Sequence, residues 1–479
     1  MIPVPGFEGR RIAVFGLGRS GLTAARALKA GGALPVLWDD SVSSRLQAEA
    51  EGFAVEDLTV ADWSGFAALV LSPGAPLTHP KPHWTVEKAK AAGVEVIGDI
   101  ELFARALAAM PEGERPGVVA ITGTNGKSTT TALIGWVLKQ AGLAVHVGGN
   151  IGIGVLALPE PNRDAVYVIE VSSYQLDLTT TFAPDVAILT NISPDHLDRH
   201  GGMEGYVAAK KRIFAHADVS LIGVDESWGR TLAASLQNAK REVREVETSE
   251  HEVELRPGHL YDEDHPRHWV PGGRVNAYGR KVIFDEIELF DLTPARSLPG
   301  RHNAQNAAFA YLAARFLGLG YDDVVQGLLS FPGLAHRMET VGQLGKVRFV
   351  NDSKATNADA ARQALASYDR SFWIAGGRAK AGGIDDLEDL FPRVVEAFLI
   401  GEAAGPFAAR LGETPHRISG DMATAVQAAY DAAAATGRDE VVLLSPAAAS
   451  FDQYPDFEAR GEAFRAAVLA LGATPASAS

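Results

Sequence analysis

Residues 117–131 read GVVAITGTNGKSTTT, and how this stretch is read decides the fold. GVVAIT is a short apolar run of the length of a buried strand, and TTTALIGWVLKQAG, which begins at Thr129, has the periodicity of a helix. Between them lie Gly123, Thr124, Asn125, Gly126, Lys127, Ser128 and Thr129. A glycine-bearing loop that leaves a strand and opens a helix turns successive backbone N–H groups toward one point, where phosphate oxygens can sit. Lys127 then supplies a point charge for the outer phosphates, and the Ser128 hydroxyl can ligate magnesium. The usual phosphate-loop pattern has a glycine five places before Gly126, where this chain has Ile121. Strand–loop–helix context therefore carries the assignment, and a glycine turn without a ligand is the weaker reading.

Working outward, the same alternation of apolar run and helical pattern recurs along the chain, as in parallel sheets covered by helices. RIAVF (11–15), LPVLW (34–38), AALVL (67–71) and VEVI (94–97) form a first block. GVVAIT, VYVIEV (166–171), DVAILT (185–190) and VSLIGV (219–224) form a second. VRFV (347–350), FWIAGG (372–377), AFLIG (397–401) and VVLLSP (441–446) form a third. The fold class expected is α/β: three consecutive α/β domains with mainly parallel sheets, the outer two Rossmann-like and the central one P-loop ATPase-like. Expected bounds are 1–98, 99–333 and 334–479, with FPGLAHR (331–337) as a linker, a polar excursion or hairpin near 240–285, and a disordered tail over 473–479. A length of 479 residues agrees with about three domains at roughly 150 residues each.

A net charge of −15 argues against a general nucleic-acid binder. The absence of cysteine rules out disulfides, thiolate metal sites and a thiol nucleophile, and is compatible with the cytoplasm. No run of about 18 apolar residues is present, so no membrane insertion is expected. The chain is read as a monomer.

In the first block, Gly16-Leu-Gly18-Arg19-Ser20-Gly21 follows a strand and opens a helix, and Asp39 closes the next strand. Glycines there admit a diphosphate, and the acid can take a ribose hydroxyl; NAD and a UDP-sugar both fit this pattern. In the second block, Glu170 ends a strand where a parallel sheet exposes its functional edge, which suits a metal or water ligand as well as a structural cap. His196 follows a later strand and reads first as a polar loop residue. Lys210 falls on a helix, and residue chemistry alone makes it a solvated cation, because an ammonium cannot ligate a metal. In the third block, loops at 351–357, 376–380 and 445–452 leave three strand ends with hydroxyls and ammonium groups, a set suited to a small carboxylate ligand.

GTNGKST, GGNIG (148–152), EVSSYQLD (170–177), DHLDRH (195–200), AAKKRI (208–213), GRHNAQNAAFA (300–310), GLAHRME (333–339), NDSKATN (351–357) and SPAAASFDQYPDFEARG (445–461) resemble the Mur ligases, as does GDIELF (98–103). The resemblance runs nearly the whole chain; NDSKATN and the C-terminal serine–phenylalanine segment are its most specific parts. It implies ATP-dependent amide synthesis in peptidoglycan assembly, with UDP-N-acetylmuramoyl-L-alanine and D-glutamate as substrates and an acyl phosphate between them. It also implies magnesium at two sites. Lys127 and Ser128 fall to ATP phosphates and magnesium, Glu170 to a metal, and His196 to a second metal and the precursor. Lys210 becomes a carbamylated lysine, which converts a cation into an oxygen ligand. Asn306, Arg337 and Asp352 match nucleotide contacts. Gly16, Gly18, Arg19, Ser20, Asp39 and Asn150 match the UDP-precursor site, and Lys354, Thr356, Lys380, Ser450 and Phe457 match the amino-acid pocket. Two departures stand out: Asp40-Ser41 follow Asp39 where the family pattern carries a hydroxyl and an arginine, and Lys380 sits in the glycine-rich RAKAGGI.

Other readings explain less. A folate polyglutamate synthetase lacks a UDP fingerprint domain, and no DNPR-like diaminopimelate signature points to a sister ligase. A nicotinamide oxidoreductase with a P-loop domain, or a P-loop switch, leaves NDSKATN and SPAAAS without a role.

Overall fold

The computed structural model describes residues 1–249, 274–284, 287–295, 297–380 and 382–475. Three sheets follow one another, each covered by helices. The first has five strands, all parallel, in the edge-to-edge order Ala54–Val55, Leu34–Trp38, Arg11–Phe15, Phe66–Leu71, Glu95–Ile97. The second has nine, in the order Ile287–Asp291, Lys281–Phe284, Arg274–Tyr278, Glu242–Ser249, Val219–Gly223, Val186–Leu189, Gly117–Thr122, Ala165–Glu170, Ala144–Gly149. The third has seven, in the order His416–Gly420, Val394–Ile400, Ser371–Gly376, Glu440–Leu444, Val347–Asn351, Glu339–Leu344, Thr474–Pro475. Antiparallel pairs are confined to one side of the second sheet, Arg274–Tyr278 with Lys281–Phe284 and that strand with Ile287–Asp291, and to Glu339–Leu344 in the third.

The chain divides into two compact units. One comprises Met1–Asp291 and Ala304–Leu328 and holds the first two sheets; the other comprises Leu292–Asn303 and the chain from Leu329 onward. Continuous apolar strands are what a sheet buried on both faces requires: Val118 through Ile121, Val166 through Ile169 and Val186 through Leu189 are all buried.

The structure corrects two expectations, on the tail and on Lys210. Residues 474–475 pair with Gly342 and Gln343 and Ala473 is buried, so an ordered edge extends into the stretch expected to be disordered; 476–479 lie outside the described residues. Within the stretch expected as a linker, 331–337, His336 is buried with its Nδ1 3.0 Å from Asn351 Nδ2. Lys210 is not on a solvated face. It lies in the last turn of the helix Met203–Lys211 and is 1% exposed. The expected hairpin near 240–285 exists as Arg274–Tyr278 and Lys281–Phe284; residues 250–273 lie outside the described residues.

Candidate functional site

In the first unit the phosphate-loop candidate leaves the C-terminal end of Gly117–Thr122 and opens the helix Lys127–Gln140. Gly123 has φ +146°, and a Cβ there would lie 1.9 Å from Thr190 Oγ1, so only glycine fits. The loop is braced from the neighbouring strand end: Thr190 Oγ1 donates to the Asn125 carbonyl at 2.5 Å, and Asn125 N donates to Asn191 Oδ1 at 2.9 Å. Thr124 Oγ1 lies 3.0 Å from the Tyr206 hydroxyl. Asn306 closes the other side, with its Oδ1 accepting from Thr130 Oγ1 at 3.1 Å. Lys127 Nζ folds over the loop and donates to the carbonyls of Gly123 (2.9 Å) and Thr124 (2.7 Å).

The helix N-cap, Gly126, supplies no side-chain cap, and the buried Thr129 hydroxyl in the first turn has no hydrogen-bond partner. An uncapped helix start leaves backbone N–H groups free to donate to an anion. Beside it, Ser128 Oγ donates to Glu170 Oε2 at 2.6 Å, and Glu170 Oε1 accepts from Asn150 Nδ2 at 2.8 Å. The strands explain this meeting, since Ile121 and Glu170 are register partners, as are Glu170 and Gly149. Ser128 and Glu170 form an oxygen-only donor pair that fits magnesium. Among the described residues, no group of three or more histidine, aspartate and glutamate side chains is gathered for a metal.

Lys210 Nζ donates to the Gly123 carbonyl at 2.7 Å, contacts Thr122 Oγ1 at 3.4 Å, and lies 4.6 Å from the Tyr206 ring centre. Burial, and then the charge of Lys127, hold its ammonium well below the ordinary lysine range, against the opposing pull of Asp195 and Glu170. His196 has a left-handed backbone (φ +53°) and caps the short helix Leu197–His200; its ring packs 4.9 Å from Tyr174. A relay unnoticed in the sequence anchors that helix: Ser173 Oγ lies 3.0 Å from His200 Nε2, and His200 Nδ1 lies 3.0 Å from Asp177 Oδ2. Ser173 is buried, so the relay serves to hold the loop.

At the first sheet's edge, Gly16 closes the strand Arg11–Phe15, and Gly18 caps the helix Arg19–Ala30. Gly21 packs against the Gly16 carbonyl, which a Cβ would meet at 1.9 Å. The Arg19 side chain lies outside the described residues. Asp39 ties this loop to its own: Oδ2 accepts from Leu17 N at 2.6 Å and Oδ1 from Ser41 N at 2.8 Å. Arg45, absent from the sequence-derived set, donates to the Asp39 carbonyl at 2.5 Å and stacks 4.3 Å from the Trp38 ring centre. It brings an arginine to the strand end from four residues after Ser41, within the helix Val42–Ala50.

In the second unit, Asp352 follows Val347–Asn351, with Met338 N (3.2 Å) and Ser445 Oγ (2.8 Å) donating to its carboxylate. Lys354 Nζ lies 5.2 Å from the Phe457 ring centre, Thr356 N donates to the Lys354 carbonyl, and Ser450 is buried. Lys380 is exposed in its turn. Arg337 lies close enough to Asp352 to act on its charge. Arg460 is the residue sequence reading missed here. It is 1% exposed and donates to Ser353 Oγ (3.0 Å), Ser353 O (2.8 Å) and Ala448 O (2.9 Å), joining two of the predicted loops. Its place within SPAAASFDQYPDFEARG was the available signal.

Burial raises the Asp352 carboxyl to about 7, against the lowering influence of Arg337, Ser445, the Met338 amide and Arg460. Between the ordinary value of 3.8 and about 7, the folded chain keeps a proton that the unfolded chain has released. Stability therefore falls as pH rises through that window. Asp352→Asn does not ionise, so its thermal midpoint relative to the parent protein is expected to rise between about pH 5 and about pH 8, by an equivalent of roughly 1–4 kcal/mol. A difference independent of pH would contradict this.

Comparison with known proteins bears on these sites. Residues 121–314 match the family model described as the Mur ligase middle domain, and residues 336–448 match the Mur ligase, glutamate ligase domain. The chain is 60% identical over 481 residues to a UDP-N-acetylmuramoylalanine--D-glutamate ligase of Caulobacter vibrioides, covering 99% of this chain and 98% of that one. It is 57% identical to the enzyme of the same name from Phenylobacterium zucineum, over 98% of both chains. Among solved structures, a UDP-N-acetylmuramate-alanine ligase of Thermotoga maritima shares the fold, with a TM-score of 0.56 at 15% identity over 96% of this chain and 99% of that one.

Proposed function

Because the chain belongs to the Mur ligase family, we propose that the two sets of strand-end loops described above are the working parts of an amide-forming ligase. The enzyme joins D-glutamate to UDP-N-acetylmuramoyl-L-alanine with ATP, giving ADP and phosphate, in peptidoglycan precursor synthesis. A carboxylate is a poor electrophile until one oxygen becomes a leaving group. Phosphorylation of the precursor's terminal carboxylate supplies that group, the D-glutamate amine attacks the acyl phosphate, and the tetrahedral intermediate expels phosphate. The observation that carries this reading to residues is the meeting of the glycine loop, the Ser128–Glu170 pair and buried Lys210 at one sheet edge.

In this reading the loop amides from Gly123 to Thr129 receive the ATP phosphates, and Lys127 turns its charge from the loop carbonyls to the outer phosphates. Asn306, Arg337 and Asp352 serve the rest of the nucleotide. Ser128 and Glu170 hold magnesium, which when bound neutralises phosphate charge. The low proton affinity of Lys210 supports carbamylation: a neutral amine can form an N–C bond to carbon dioxide with release of one proton, leaving anionic oxygens that would serve a second magnesium, with His196 as the other candidate ligand. A carbamate nitrogen retains one N–H, the donor that the Gly123 carbonyl requires. Gly16, Gly18, Arg19, Ser20, Asp39, Asn150 and His196 take the UDP precursor; Lys354, Thr356, Lys380, Ser450 and Phe457 take D-glutamate. Among the described residues no helix is long and apolar enough to cross a membrane. The cytoplasm, where ATP and nucleotide-linked precursors occur together, is the compartment proposed.

The direct test supplies the precursor, ATP and single amino acids in D- and L-forms. Product with D-glutamate alone, and transfer of oxygen label from the precursor carboxyl into phosphate, are expected. Product with another amino acid in preference would move the chain to a sister activity, and absence of label transfer would exclude the acyl phosphate.

A further inference from the structure

One buried acid in the first unit has no part in the site so far. Asp99 opens the helix Asp99–Ala108, directly after the first sheet, and is 5% exposed. Both its carboxylate oxygens accept from Gln175 Nε2, at 3.2 and 3.1 Å, and the Ser20 side chain lies near enough to lower the carboxyl's proton affinity. Ser20 belongs to the glycine turn of the first sheet. Gln175 lies in the short helix Ser173–Asp177, which begins three residues after Glu170. Its other amide atom, Oε1, accepts from Ser172 N (3.0 Å) and Ser172 Oγ (3.1 Å), locking the start of that helix.

We propose that Asp99 is a positioning residue for the ligation, its carboxyl tying the precursor-binding turn at Ser20 to the segment that fixes Glu170 and its metal. This rests on the functional reading above, in which the first glycine turn takes the precursor and Glu170 takes magnesium.

Three observations carry it. The carboxyl is directed at side chains of two separate functional segments, while the mechanical clamp at this junction is supplied by another residue: Glu101 accepts from the backbone amides of Thr180 (2.7 Å) and Thr181 (2.9 Å). The central link of the chain Ser20–Asp99–Gln175–Ser172 is sheltered from water, since Asp99 and Gln175 are both buried. Burial also raises the proton affinity of the Asp99 carboxyl above the ordinary range, against the lowering influence of Gln175 and Ser20, so loss of either partner leaves a buried carboxyl poorly satisfied.

The test compares Asp99→Ala, Asp99→Asn and Gln175→Glu with the parent enzyme. It measures KM for precursor and for ATP, kcat, thermal midpoint, and precursor affinity by tryptophan fluorescence titration. Asp99→Ala is expected to raise precursor KM and weaken titrated affinity together by ~10-fold, with ATP KM held within about 2-fold. Asp99→Asn keeps an acceptor for Gln175 and is expected to recover to within about 3-fold of the parent. Gln175→Glu keeps the acceptor for Ser172 but loses the donor facing Asp99, and is expected to behave like Asp99→Ala. Should Asp99→Ala fail to fold, Gln175→Glu against Asp99→Asn decides the matter. Parental precursor KM and affinity in the donor-deleted or acceptor-deleted protein would overturn the inference, as would equal rises in KM for both substrates. Failure of the parent enzyme itself to bind the precursor would instead sink the functional reading.

Discussion

Lys127→Ala is expected to abolish ATP-dependent phosphate release while leaving the UDP precursor bound. The ammonium stands at the head of the helix Lys127–Gln140, held over its own loop by the carbonyls of Gly123 and Thr124. In the proposed reading the lysine turns from those carbonyls to the outer phosphates, where its charge is worth most in the transition state for phosphoryl transfer. Loss of a single preorganised donor of this kind lowers turnover by roughly 10²–10³-fold, and here the donor is also a full charge. The loop itself should persist, because Thr190, Asn191 and Asn306 brace it independently of the lysine. Precursor affinity should therefore stay near the parental value, since the Gly16–Gly21 turn belongs to a different sheet. Turnover within about twofold of the parent would remove the phosphate assignment of this loop.

The second large effect is expected at Lys210. Lys210→Met keeps the apolar stem inside its pocket and removes the amine, so folding should be preserved while activity falls by ~10²-fold or more. The proposed carbamate, rather than a simple cation, makes three further results expected. Parent enzyme depleted of bicarbonate should lose activity and regain it when bicarbonate returns, and ¹³C-bicarbonate should yield a carbamate resonance that Lys210→Met lacks. High concentrations of a short carboxylic acid should partly restore Lys210→Ala by placing an oxygen donor in the vacated space. Parental rates in Lys210→Met would show that the buried amine only completes the packing beside Tyr206 and the Gly123 carbonyl.

Much of the fold and of the phosphate loop could be read directly from the residues. The strand Gly117–Thr122 has the expected bounds, and Glu170 closes Ala165–Glu170 as expected. Other strands were missed: Ala144–Gly149 is an edge strand with mostly half-buried residues, and Glu339–Leu344 mixes polar residues and glycine, so neither presents an apolar run. Asn150 could be listed only through a family resemblance. What places it is the pairing of Gly149 with Glu170, a contact across 21 residues of chain.

By itself the sequence determined what depends on neighbours along the chain: strand and helix periodicity, the glycine turns at 16–21 and 123–126, and the kinds of donor available at strand ends. Tertiary structure alone decided the state of the groups that chemistry uses. Whether Lys210 is a solvated cation or a buried amine of low proton affinity depends on Thr122, Gly123 and Lys127, more than 80 residues away. Asp99 meets Gln175 across 76 residues, and Arg460 meets Ser353 across 107. The physical reason is that periodicity and turn propensity are set by local sterics, whereas proton affinity and hydrogen-bond partnership are set by burial and distance, which exist only once the strands have aligned.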